Sequence, residues 1–261
     1  MGGAERTARK RRQQQQRRNA GARAVAQARG SSGGNRKMIV AVVAVVVLAA
    51  LVIGGVIWTN SSKNQTAGHA IPAVQTNASL DVPTERQGDV VVSGKDSANA
   101  KIDIYADFLC PYCGQFQKIY GSQVEQQIQA GNLQVSYHMI PLLNSQSDPP
   151  GYSLASENAA LCAADQGKFT PFHDSLFAAQ PEEGQRGYDN AQLIQLGKDV
   201  GITAPAFESC VNAGTYNQQL NDALQKILAD PNFKGTPTVR HNGVNVDTSQ
   251  ADWLTKLVGQ P

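Results

Sequence analysis

Residues 100–116 read AKIDIYADFLCPYCGQF, and the reading of this stretch decides the rest of the chain. Ala100 to Phe108 carries the alternation and the β-branched and aromatic content of a buried strand. At Cys110 the pattern changes. Pro111 suits the first turn of a helix, where its missing N–H is not needed, and the helical pattern runs to about Ala130, where Gly131 and Asn132 stop it. The two cysteines therefore sit at a strand-to-helix junction. Cys110 receives the unpaired N–H groups of the helix terminus and the positive end of its dipole, which favour the reactive thiolate. Cys113 follows one turn later on the same face, close enough to close a small disulfide ring and placed to be the more buried of the two.

Such a pair could be a metal site, a structural crosslink or a redox couple. Zinc needs a second ligand pair at suitable spacing, but the other two cysteines, Cys162 and Cys210, are single and far apart, with no accompanying His pair. A purely structural bridge over so short a ring would constrain the unfolded chain little. Redox chemistry is the favoured reading, and it requires neither metal nor nucleotide. No cofactor is expected.

Residues 1–37 hold eleven Lys or Arg against the single acid Glu5, with a Gln run at Gln13 to Gln16. Nothing there offsets the entropy of folding, so a disordered basic tail is expected. It ends where Met38 to Trp58 begins, MIVAVVAVVVLAALVIGGVIW, a stretch without charge. As a helix this spans about 30 Å, the thickness of a hydrocarbon core. A cleaved export signal is the alternative, but the run is long for one and no clear small-x-small site follows. Positive charge on its N-terminal side predicts a cytoplasmic tail and an exported remainder, in a single-pass cell-membrane protein. Residues 59–87, rich in Ser, Thr, Asn, Ala and Pro, read as a flexible tether. Removing the tail's eleven bases and one acid from the chain's 23 and 21 leaves 12 bases against 20 acids, a net −8 outside the tail. That acidity argues against nucleic acid as a partner.

Residues 88–261 suffice for one domain with a real core. DVVVSG reads as an edge strand, and Leu133 to Leu143 as a second long strand. A helical block, broken by Pro181, Gly184, Gly187, Gly201 and Pro205, occupies about 151–229. TPTVRHNGVNVD gives two strands across an Asn242–Gly243 turn, and a last helix spans about Ser249 to Val258. This order implies an α/β domain with a helical insertion.

The CPYC stretch, the helical block and GTPTV (Gly235 to Val239) together resemble the DsbA family of thioredoxin-fold proteins, and most closely the membrane-anchored actinobacterial type. The resemblance covers roughly Gly88 to Pro261. It implies a thioredoxin fold with an inserted helical subdomain, preceded here by one transmembrane helix. In the family the proline matching Pro237 is cis and faces the cysteines; Thr236 and Pro237, with Pro111 and Tyr112, then shape the substrate groove. Cys110 becomes the nucleophile and Cys113 the resolving thiol. Many relatives carry a buried acid six residues before the first cysteine, where this chain has Ile104; Asp103 and Asp107 lie nearby, and neither is singled out. Glutaredoxin also uses a Cys-Pro-Tyr-Cys stretch, but Pro237 lies too far beyond Cys113 for that compact fold.

In an oxidising compartment Cys162 and Cys210, both in the helical block, are expected to pair. Closing a loop of about 49 residues stabilises by about 4 kcal/mol in the chain-entropy model, and relatives of the actinobacterial type carry such a second bridge. His138 and His173 read as packing or helix-surface residues, His69 as part of the tether and His241 as part of a turn. The expected activity is an outward-facing, membrane-tethered protein thiol-disulfide oxidoreductase, a monomer donating disulfides to exported cysteine-containing proteins. The resemblance implies a quinone-linked membrane partner for reoxidation. The competing functions are a disulfide reductase, as in cytochrome maturation, and a non-catalytic thioredoxin-fold binding module. An isomerase would need a dimerisation domain for which a short tether leaves no room.

Overall fold

The computed structural model of the protein describes residues 64–74 and 84–259. Six strands form one sheet in the order β1-β2-β4-β3-β5-β6. In chain order they are β1 (Thr84–Gln87), β2 (Val90–Ser93), β3 (Ala100–Ala106), β4 (Leu133–Met139), β5 (Thr238–His241) and β6 (Val244–Asn245). The strand period is visible in β3, which buries Ala100, Ile102, Ile104 and Ala106 and turns Asp103 and Tyr105 to the other side. β3 and β4 run parallel, from Ala100 opposite Leu133 to Ala106 opposite Met139. A parallel pair needs a crossover, and helix α1 (Pro111–Gln129) supplies it. α1 buries Cys113, Phe116, Val124 and Ile128. It ends in a Schellman closure: Gly131, at φ 77°, donates to Ile128 O while Asn132 donates to Gln127 O.

β5 lies antiparallel to β3, with Ile104 opposite Val239 and Tyr105 opposite Thr238. The residues entering β5 are thereby brought beside the end of β3, where α1 begins. Between β4 and β5 comes a block of five helices: α2 (Tyr152–Ala164), α3 (Phe169–Ala178), α4 (Asn190–Asp199), α5 (Pro205–Ala213) and α6 (Asn217–Leu228). α2 is buried on nearly every side, its apolar residues belong to one core continuous with that of the sheet, and Cys162 of α2 is disulfide-bonded to Cys210 of α5. The last helix, α7 (Trp253–Val258), closes the chain against Phe116 and Tyr120.

Several expectations need correction. β4 ends at Met139 rather than Leu143, because Pro141 has no N–H to continue the ladder. α7 begins at Trp253, four residues later than expected. β1 lies inside the stretch read as tether; its residues Thr-Glu-Arg-Gln carry no apolar pattern and are held by backbone pairing with β2. Residues 64–74 of that stretch are also bound to the domain. Thr66 donates from Oγ1 to Arg186 O (2.9 Å) and Gly187 O (3.1 Å), Gln192 Nε2 donates to Thr66 O and His69 O, and Val74 N donates to Ser175 Oγ. Ile71, 1% exposed, anchors the segment. One buried isoleucine among polar residues gives no periodicity, so composition alone reads as linker. The expected tail (1–37), transmembrane helix (38–58) and the rest of the tether lie outside the described residues. Among the described residues no helix is long and apolar enough to cross a membrane.

Candidate active site

Cys110 occupies the N-cap of α1 with extended backbone, and Pro111 takes the first helical position. Both cysteines are reduced and buried. Cys110 Sγ donates to Thr236 O at 3.2 Å, across the Thr236–Pro237 peptide bond, which is cis. This contact joins two segments that are 126 residues apart, and the antiparallel β3–β5 register is what brings them together. Between the two cysteines Pro111 and Tyr112 are exposed, Tyr112 to 71%.

The two thiols differ sharply in acidity. The Cys113 thiol donates to the Cys110 sulfur and, with the Thr236 side chain and the N–H groups of Cys113 and Tyr112, lowers the Cys110 pKa from 9.0 to about 6 against the opposing effect of burial. Cys113 moves the other way. Burial first, then its hydrogen bond to Cys110 and that residue's charge, push it well above its ordinary value. One sulfur thus favours the thiolate near neutrality and the other holds its proton.

Of the nearby carboxylates, Asp103 pairs with His138 (Oδ1 to Nε2, 2.9 Å), on the face opposite Ile104. Asp107 is fully buried, and its oxygens accept from Leu109 N (2.7 Å) and Leu143 N (2.8 Å), tying the β3–α1 turn to the loop after β4. Burial raises its pKa to about 6. Beside it Glu157 of α2 is also fully buried. Burial and the Asp107 charge push it far above the carboxylate range, so it is held neutral.

Three positions near the cysteines escaped sequence reading. Gln180 follows α3 and donates from Nε2 to Phe108 O and Cys110 O, both at 2.9 Å, clasping the active-site turn. Gly114 leaves room for that side chain, since a Cβ there would collide with the Gln180 amide. His173, read as packing, is indeed ringed by Phe108, Tyr137, Phe169 and Phe177, but it also borders the cavity behind Cys113. A long-range glutamine carries no sequence signal; a glycine inside a helix next to CxxC was a small one. Cys162 and Cys210 lie in the helical block and His241 at the β5–β6 turn, where it meets Lys101 O. Among the described residues no cluster of His, Cys, Asp and Glu is arranged to hold a metal ion.

The thioredoxin family profile matches residues 86–259. Reduced DsbA from Mycobacterium tuberculosis superposes with a TM-score of 0.58 at 28% identity, covering 66% of this chain and 94% of that one. Reduced DsbG, a disulfide bond oxidoreductase of the same organism, gives 0.58 at 31% identity, covering 66% and 89%. Serine/threonine-protein kinase PknE, also from Mycobacterium tuberculosis, is 31% identical over 181 residues, 66% of this chain and 32% of that protein. The chain thus spans about a third of the length of this curated relative, and the kinase name is that protein's own. With a CxxC at the start of α1, a cis proline facing it and a helical block between β4 and β5, the chain belongs to the thioredoxin family, among the DsbA-like thiol-disulfide oxidoreductases.

Proposed function

We propose that the protein is an oxidase of exported proteins: the Cys110–Cys113 disulfide is passed to cysteine-containing substrates, and a quinone-linked membrane partner restores it. The observation that carries the direction is the stabilised Cys110 thiolate. A couple whose reduced form is stabilised gives up its disulfide readily, which makes it a strong oxidant. In the forward step a substrate thiolate attacks Cys110 Sγ and the S–S bond breaks onto Cys113, which takes up a proton. A second substrate thiolate then releases Cys110 as the thiolate. Tyr112, Pro111, Thr236 and Pro237 border the sulfur under attack. The basic tail followed by the apolar run Met38 to Trp58 supports a single-pass cell-membrane anchor with the catalytic domain outside.

The test is the reduction potential of the full chain equilibrated with glutathione. The expected value is more oxidising than about −270 mV, the thioredoxin potential; a value at or below it would assign the protein to the reductases. Its pH dependence carries the Cys110 shift. A depressed thiol pKa contributes stability to the folded reduced form that is complete above the ordinary 9.0 and is lost as pH falls through about 6. Reduction therefore takes up two protons below about pH 6 and one above it. The slope should break there from about 59 to about 30 mV per pH unit.

A further inference from the structure

Cys113 must lose a proton whenever it resolves a mixed disulfide, yet it is 2% exposed and burial holds the proton on it. Asp107 is poorly placed to take it. Both its carboxylate oxygens already hold backbone N–H groups, and the group that meets the Cys113 sulfur is the Asp107 backbone. On the other side of Cys113 lies a cavity of about 10 Å³, room for about one water. Of the groups on its wall, Cys113, His173 and Tyr137 are titratable, the Gln117 amide being no base, and burial pushes the Tyr137 hydroxyl far beyond any pH at which it could act. His173 is what remains.

Its surroundings fit the role. His173, 4% exposed, bonds through Nδ1 to Asp174 Oδ1 at 2.9 Å, which leaves Nε2 as the ring's accepting nitrogen. Asp174 is held in turn from α1: Gln117 Nε2 donates to the same oxygen at 3.1 Å. Glu125, whose pKa burial and the Asp174 contact raise to about 8, supplies a carboxyl proton. Asp174 and Gln117 also line a groove of about 940 Å³ that opens beside α1. The cavity, His173, Asp174 and Gln117 thus lie between the buried thiol and this groove.

Resting on the reading of Cys110 and Cys113 as a working redox pair, we propose that His173, oriented by Asp174, is the general base that accepts the Cys113 proton during resolution and returns it when Cys113 is the leaving group. In resolution the Cys113 S–H bond breaks and its proton passes across the cavity to Nε2. The sulfur's electron pair forms the Cys110–Cys113 bond, and the bond from Cys110 to the partner sulfur breaks with its electron pair leaving on the partner thiolate. Disulfide and thiol exchange places, so no outside oxidant is consumed. The charged or titratable groups facing the ring are Asp174 on its own helix, Cys113 and Glu125 from α1, and Tyr137 from β4.

The test separates the two chemical steps. The reduced full chain is mixed with one equivalent of an aromatic disulfide that liberates the coloured thionitrobenzoate anion. Attack by Cys110 releases the first anion, and resolution by Cys113 releases the second. His173→Phe should slow the second release about 10²-fold at neutral pH, the usual worth of a general base, and leave the first unchanged. The deficit should shrink as pH rises and hydroxide takes over. Asp174→Asn, which keeps the shape, should slow the second step about tenfold. Equal slowing of both steps would make His173 a packing residue, and an unchanged second step in both variants would remove it from the proton path. A wild-type chain that releases one anion only would overturn the dithiol reading itself, and the proposal with it.

Discussion

Two thiols of identical chemistry differ here because α1 begins between them. Cys110, at the cap, collects the N–H groups of Tyr112 and Cys113 as well as the Cys113 proton; Cys113, one turn inside, is enclosed by the β3–α1 core. The proposed roles, Cys110 attacking and Cys113 resolving, can be tested by trapping in intact cells expressing the full chain. Cys113→Ser leaves a reactive Cys110 whose mixed disulfides nothing resolves, so adducts with exported proteins should accumulate and disappear on adding reductant. Cys110→Ser should trap almost nothing, since its remaining thiol is buried and lacks the helix terminus. More adducts from the Cys110 variant would reverse the assignment, and adducts confined to cytoplasmic proteins would place the domain on the other side of the membrane. This asymmetry was legible in the sequence, because cap, proline and spacing are local. The proton path behind Cys113 was not, because it is made by a ring from α3 and a carboxyl pair shared between α1 and α3.

At the scale of elements, the active-site turn belongs to two parts of the fold at once. β3 and α1 position it from the sheet, and Gln180, arriving from the end of α3, satisfies the carbonyls of Phe108 and Cys110. Gly114 is the opening through which that amide passes. Glycine inside a helix costs up to about 1 kcal/mol relative to alanine, so Gly114→Ala should help unless the Gln180 clasp is worth more. Displacing a bonded amide from two buried carbonyls costs about 1–3 kcal/mol. The single variant should therefore be less stable in denaturant unfolding. In a Gln180→Ala background the same change should become neutral or stabilising. Equal costs in both backgrounds would show that the two residues do not act on each other. Elements with strong local signals were read closely: α1 from Pro111 to its Gly131 stop, and the β5–β6 turn at Asn242 and Gly243, whose positive φ angles of 51° and 77° suit a tight hairpin. β1 and residues 64–74 were missed, since what holds them is backbone pairing and side chains from distant helices.

At the scale of the whole described body, the helical block is fastened to the sheet at several independent points. Arg86 of β1 reaches Asp165 at the end of α2 (2.6 Å) and lies over the Tyr216 ring at 4.4 Å, while Tyr216 donates to the same carboxylate. Asp107 holds Leu143, Gln180 holds the active-site turn, and Thr66 to Val74 lies against the block through Gln192, the 186–187 backbone and Ser175. The Cys162–Cys210 bridge joins α2 to α5 within the block and has no part in the turn around Cys110. Its contribution should therefore be to stability alone. Replacing both with Ala should lower the unfolding free energy by about 4 kcal/mol, the chain-entropy value for a loop of this length, while the potential of the Cys110–Cys113 couple stays where it was. The two bridges should also part under mild reductant. In the active pair the reductant attaches to Cys110, which then leaves as a low-pKa thiolate and carries the reduction to completion, whereas in the block's bridge Cys162 is 1% exposed. Alkylation and mass mapping of the oxidised chain at rising reductant should label Cys110 and Cys113 well before the other two. Labelling of all four together, or a shifted potential in the double variant, would mean that the block's bridge is part of the redox machinery and not of its frame.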